Sequence, residues 1–290
     1  MGAADIVPGI SGGTIAFITG IYEELLEAIS AVNFNTIKLI KSEGIGTAWK
    51  SIHGNFLLAL ISGIALSIIT LAQLISWLLE NQPILLWSFF FGLVLASIIY
   101  IGRQISKWVG ITVILFILGG ILAFYITTLN PLVSENSSSM FLLLSGAIAI
   151  CAMILPGISG SFILVLLGAY KPILDAIHEK DIQLLTIVIT GAIFGLMLFS
   201  RILNWLFKHY KNYTLAILSG FILGSLNKIW PWKETLTWRL NSEGVEVPFN
   251  EQSISPFYYV GDPQIALAIL LSLMGFAIIF LLEFTAKKSK

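Results

Sequence analysis

A Pro-Gly-Ile-Ser-Gly break set inside apolar sequence, and written twice, constrains this chain more than any other feature. Residues 4–29 read ADIVPGISGGTIAFITGIYEELLEAI, and residues 152–177 read AMILPGISGSFILVLLGAYKPILDAI. They align without a gap at an offset of 148 (152 minus 4), with half of the positions identical. The shared residues include Pro8/Pro156, Gly9/Gly157, Ser11/Ser159, Gly12/Gly160, Gly20/Gly168 and Tyr22/Tyr170. In water such a break is an ordinary loop. In a bilayer it strands backbone N–H and C=O groups, and is tolerated only where protein or a polar cavity surrounds it. Two such breaks at matching places point to a binding site on a repeat axis.

The membrane is the setting that composition demands. Hydrophobic residues make up 57% of the chain and charged residues 11%, against about 45–50% and about 25% in soluble domains. Mean hydropathy is +0.92. The net charge is zero, so nothing suggests a nucleic-acid partner. A single cysteine, Cys151, excludes an internal disulfide and lies in an apolar run. No basic segment precedes the first motif, so no cleavable signal peptide is expected.

Six stretches are apolar over about the 20 residues a span needs: 56–79, 84–101, 110–129, 184–207, 213–230 and 264–283. The repeat runs on through them at a shorter offset of 128, matching Trp77 to Trp205 (205 minus 77) and GLVLAS from Gly92 to GFILGS from Gly220. The polar linker 30–55 after the first motif accounts for the change. Each half is then a re-entrant broken-helix hairpin followed by three transmembrane helices, residues 1–139 and 140–290. An odd number of spans inserts the second half upside down. The expected fold is an all-α polytopic membrane protein of two inverted repeats.

Basic residues agree with that orientation. One side carries Lys38, Lys41, Lys50, Arg103, Lys107, Arg201, Lys208, Lys211, Lys287, Lys288 and Lys290; the other carries Lys171, Lys180, Lys228, Lys233 and Arg239. The positive-inside rule puts the first set in the cytoplasm. The external loop 231–263 contains an alternating pattern over 235–249 around Asn-Ser-Glu-Gly, expected as a short β-hairpin. Its Trp230, Trp232, Trp238, Tyr258 and Tyr259 suit the headgroup layer.

The motif removes one N–H, permits special dihedrals and supplies hydroxyls. A helix restarting after the break points free N–H groups and the positive end of its dipole into it. With Gly13, Thr14 and Ser11 in the first copy, and Ser159 and Ser161 in the second, this makes a candidate anion nest. The competing reading is a kink or tight crossing built from small residues. Asp5 precedes the first break and has no counterpart in the second, where Met153 stands; cap, cation site and water-boundary residue all remain open for it. Glu23, Glu24 and Glu27 after the first motif, and Lys171, Asp175, His178 and Glu179 after the second, read as solvated hairpin ends. Arg201 lies within a span, aligned with Gln73 (201 minus 128), and either snorkels or pairs with phosphate through its planar fork. His53, His178 and His209 are scattered, and no nucleotide-binding glycine loop exists, so neither a metal, a cofactor nor ATP-driven chemistry is expected.

The stretches GAADIVPGISGGTIAFITGIYEELLEAI, LPGISGSFILVLLGAY and KIWPWK resemble the family long known as domain of unknown function 368, associated with polyprenyl-phosphate translocation of the PopT type. The resemblance implies a multi-pass protein of the bacterial inner membrane. It would carry undecaprenyl phosphate from the outer to the cytoplasmic leaflet, recycling the carrier for peptidoglycan and other envelope polymers. Substrate-binding residues carried over by position are Asp5, Pro8, Gly9, Ser11, Gly12, Gly13 and Thr14, with Pro156, Gly157, Ser159, Gly160 and Ser161; Arg201 is added from its chemistry. Residues 140–155 form a full arm before the second break, which the first copy lacks in this sequence. Partners are the lipid, the surrounding membrane and a coupling proton or sodium ion. Two other classes stay open: a polyprenyl-pyrophosphate phosphatase, and a secondary transporter of a small anion.

Overall fold

The computed structural model describes residues 1–7, 11–129, 138–240 and 246–288. Within them the chain is mostly helical. Short helices α1 (Gly2–Asp5), α2 (Gly12–Ile18) and α3 (Tyr22–Ala31) build the first motif; α4 (Phe34–Glu43) and α5 (Ile45–Ser51) fill the linker. Long helices α6 (Gly54–Asn81), α7 (Pro83–Gly102) and α8 (Gly110–Thr128) complete the first half. The second half comprises α9 (Ser139–Ile154), α10 (Gly160–Leu167), α11 (Tyr170–Glu179), α12 (Ile182–Ser225), β1 (Lys233–Leu240), β2 (Glu246–Ser253) and α13 (Ile265–Lys288).

Four of these helices are long and apolar enough to cross a membrane: α6, α7, α8 and α12 with the 3-10 turn that extends it. Helix α13 carries a shorter apolar stretch, Ile265–Leu281. Helices α10 and α11 are bent by 104° at a short break, forming a broken-helix pair. Gly168, with φ 74°, ends α10 in the left-handed region, where a side chain is disfavoured.

The expected spans 184–207 and 213–230 correspond to two helical arms within α12, separated by a kink at Tyr210, whose φ −135° and ψ 43° are not helical. The joint 208–212 holds neither proline nor glycine, and Lys208 and Lys211 are held from outside, at 3.2 Å from Glu27 and 2.6 Å from Glu23. Glu23 and Glu27 are therefore ion-paired to the bend of α12 while remaining nearly half exposed, and Glu24 stands 3.8 Å from His53. Strands β1 and β2 pair antiparallel, with Lys233 opposite Ser253 and Leu240 opposite Glu246; the residues between them, 241–245, lie outside the described residues.

With no hydrophobic drive between helices in lipid, close backbone approach supplies the packing. Helix α7 is the most buried span and lies against α13, with Gly92 on Ser272 and Gly275 on Phe89. The second arm of α12 lies against α8, with Gly220 on Phe116 and Gly224 on Gly120. The first arm of α12 lies against α9 through Gly191 on Leu143 and Gly195 on Ala147. Helix α6 is the most exposed of the spans, and Gly2 of α1 meets it at Ile64 and Ser67, halfway along its length.

Candidate functional site

The two breaks touch. Ser11 caps α2 by accepting from the Thr14 N–H at 3.2 Å, while its hydroxyl donates to the Leu155 carbonyl at 3.3 Å. Thr14 Oγ1 accepts from the Gly157 N–H at 2.9 Å and stands 3.2 Å from Ser11 Oγ. Since the Ser11 proton is committed to Leu155, Thr14 is the donor in that last contact. A continuous relay results, from the Gly157 N–H through two hydroxyls to the Leu155 carbonyl. It satisfies two backbone groups of the second break, the Gly157 N–H and the Leu155 carbonyl, with side chains of the first. Ser11 and Thr14 are each 1% exposed, so these bonds form away from solvent.

Tyr22 adds a second tie. Its hydroxyl donates to the Ile154 carbonyl at 3.1 Å, and its ring packs edge-on against Phe17 and Phe207. Sequence reasoning did not assign Tyr22 to the site. The available signal was its doubling as Tyr22/Tyr170. Gly13 is fitted to the same junction: a Cβ there would lie 2.6 Å from the Ile154 carbonyl oxygen.

Asp5 resolves as a cap across the first break, accepting from the Gly12 N–H at 2.6 Å. A Cβ on Gly12 would sit 2.5 Å from that carboxylate, which accounts for the glycine. The first nest is thus closed from within: Gly12 and Thr14 both have protein acceptors. Pro8 and Gly9 lie outside the described residues.

The second nest is more open. Ser159 caps α10 by accepting from the Phe162 N–H at 3.2 Å, and Ser161 Oγ lies 3.4 Å from Ser159 Oγ. The N–H groups of Gly160 and Ser161 have no partner among the described residues. Ser161 is exposed, Ser159 buried, and Pro156 fully buried. Gly157 adopts φ 95°, and a Cβ there would stand 2.6 Å from Ser225 Oγ, so the second break is wedged against the end of α12.

Arg201 is not brought to this junction. It is exposed and donates to the Val32 carbonyl at 3.5 Å, at the far end of α3 from Tyr22. Ten residues of helix separate those ends, about 15 Å. Its repeat mate Gln73 is exposed on α6. Trp232, expected in the headgroup layer, is buried against Ile84 and Ala268, with its indole donating to the Pro263 carbonyl at 2.9 Å. It clamps the segment before β1 onto α7 and α13. Beside the α12 bend, a cavity of about 420 Å³ is lined by Lys107, His209, Lys211 and Tyr213 among others. Among the described residues no group of His, Cys, Asp and Glu could hold a metal ion.

Comparison with known proteins follows the same lines. The profile of the VCA0040-like family, described as undecaprenyl phosphate translocase-like, matches residues 1–247. A Vibrio cholerae protein named polyprenyl-phosphate transporter is 50% identical over 292 aligned positions, covering 99% of this chain and 94% of its own. A Staphylococcus aureus protein of the same name is 30% identical over 248 positions, covering 80% of this chain and 83% of its own. No solved structure matches significantly.

Proposed function

The chain belongs to the VCA0040-like, undecaprenyl phosphate translocase-like family, and from that premise we propose that its paired breaks carry the phosphate of a polyprenyl lipid across the bilayer. It is a multi-pass membrane protein that transports polyprenyl phosphate. The isoprenoid tail can stay in lipid throughout. The phosphate cannot, because an isolated charge at the bilayer centre costs at least several kcal/mol. A polar passage at that depth is what the protein must supply.

The observation that carries the reading is the relay from Gly157 through Thr14 and Ser11 to Leu155, which joins the two breaks. It concentrates backbone dipoles and hydroxyls deep in the protein, and the first motif's α1 reaches the middle of α6. The halves act as inverted repeats. Supporting this, repeat-mate glycines Gly92 and Gly220 pack on the third span of the opposite half, α13 and α8 respectively. In both halves the arm before the break lies on the first span of its own half, α1 on α6 and α9 on α12. The first hairpin then opens to the cytoplasm and the second to the outside of the inner membrane, with transport running inward for carrier recycling. The work is translocation without covalent chemistry, coupled to a proton or sodium gradient. Arg201, at the cytoplasmic end of α3, would meet the phosphate on release rather than at the junction.

Purified protein in liposomes, assayed for leaflet-resolved movement of polyprenyl monophosphate, tests the reading. Transport of the phosphate and not of the polyprenyl alcohol, accelerated by one imposed gradient, is the expected result. Release of inorganic phosphate from the pyrophosphate lipid, with no leaflet exchange, would replace it with the phosphatase reading.

A further inference from the structure

Two lysines of the Lys-Ile-Trp-Pro-Trp-Lys segment stand where the second break faces outward. Lys228 lies in the single 3-10 turn Leu226–Ile229 that follows α12, and its ammonium is 4.9 Å from the ring centroid of Phe162. Phe162 is the first-turn residue of α10 whose N–H Ser159 caps. Lys233 opens β1, with its ammonium 4.2 Å from the Trp87 ring centroid and 3.5 Å from Glu251. Only 10% of the Lys233 side chain is exposed.

The charges do not balance. Glu251 is the carboxylate felt by both ammonium groups, and among the described residues Lys228 makes neither an ion pair nor a hydrogen bond. Among the described residues two cations share one anion, beside the rings of Phe162 and Trp87. A buried pair is a poor source of stability, and an extra buried cation is worse. The segment itself is pinned: the Trp230 and Trp232 indoles donate to the Ile254 and Pro263 carbonyls, and Ser253 donates to the Asn227 carbonyl. What remains free to change partner is the pair of ammonium groups.

We propose that Lys228 and Lys233 are the receiving site for the lipid's phosphate monoester on the outward side, where the phosphate displaces Glu251 before passing to the second break. The inference rests on the transport reading and names residues that reading does not use. A phosphate monoester carries about −1.5 to −2 at neutral pH, against −1 for the carboxylate, and offers three acceptor oxygens. It can therefore bridge both ammonium groups where Glu251 serves mainly one. Lysine suits the role as a mobile point charge that lets its ligand go. The open N–H groups of Gly160 and Ser161, beside Phe162, are the next donors along the way.

The test uses the full chain in neutral-lipid nanodiscs, with geranylgeranyl phosphate, geranylgeraniol and inorganic phosphate as probes. Lys228→Gln and Lys233→Gln are each expected to weaken geranylgeranyl phosphate about tenfold and leave geranylgeraniol unchanged. Lys228→Arg, which keeps the charge, should retain binding. Glu251→Gln should bind the phosphate more tightly while unfolding at lower temperature without ligand, a pairing of effects that a merely structural ion pair would not produce. If wild-type protein binds geranylgeranyl phosphate and both Gln variants bind it equally well, the lysines only anchor the hairpin and the inference is overturned. If inorganic phosphate binds as tightly as the prenyl phosphate and with the same lysine dependence, the site serves a soluble anion and the lipid assignment falls. If the wild type binds no prenyl phosphate at all, the transport reading fails first, and this inference with it.

Discussion

Thr14 is the residue on which the two breaks meet, and its hydroxyl both accepts from Gly157 and donates to Ser11. Thr14→Val keeps the shape and leaves the buried Gly157 N–H without a partner. The expected cost is about 1–3 kcal/mol, read as a lower unfolding temperature, with Thr14→Ser close to the parent. Gly157→Ala should destabilise by a similar amount, because it combines φ 95° with a Cβ 2.6 Å from Ser225 Oγ. Lys233 gives a pH signature. Burial pushes its ammonium from 10.5 down to about 8, Glu251 opposing and Lys228 adding to the shift. The folded protein then binds fewer protons than the unfolded chain between about pH 8 and 10.5, so this group's contribution to stability rises with pH across that window. Anion affinity moves the other way, since phosphate needs the ammonium. An unfolding temperature that rises above pH 8 in the wild type, relative to Lys233→Gln, while geranylgeranyl phosphate binding weakens, is the expected result. At this scale the motif was legible because Pro, Gly and Ser have local chemistry. The Tyr22–Ile154, Thr14–Gly157 and Lys228–Phe162 contacts were not, because each joins positions whose proximity is decided by packing.

The elements were legible in proportion to how local their signal is. Apolar windows located α6, α7 and α8 to within a few residues, and alternation located the β1–β2 hairpin. The kink of α12 at Tyr210 falls in the polar stretch 208–212 between the apolar windows 184–207 and 213–230, whereas its ion pairs with Glu23 and Glu27 of α3 left no mark in the sequence. The sequence left the direction of Arg201 open, two turns from a span end; in the fold it donates to the Val32 carbonyl at the end of α3. Inverted insertion makes a prediction at this scale. In a Cys151→Ser background, Glu43→Cys on α4 should react with an impermeant thiol reagent only from the cytoplasmic side, and Glu179→Cys on α11 only from outside. Both side chains are exposed, so access depends on the side of the membrane alone. Labelling of both from one side would make the halves parallel.

At the scale of the whole molecule, the second break is made tolerable by side chains of the first, and the proposed use of the pair is a passage for phosphate. Lys228 reaches Phe162 beside the second break, Gly157 of that break meets Thr14, and the bend of α12 lies against α3 of the first motif. The transmembrane helices around them present broad apolar surface, as α6 does, and leave the isoprenoid tail in lipid. The most direct measurement is photo-crosslinking with a polyprenyl phosphate that carries a diazirine on the isoprene unit next to the phosphate, followed by peptide mapping. The account predicts labelling of the peptides containing Thr14, Gly157 and Lys228, competed by unlabelled prenyl phosphate and not by the alcohol. Labelling confined to the lipid-facing surfaces of α6 and α13, with the three peptides untouched, would contradict it.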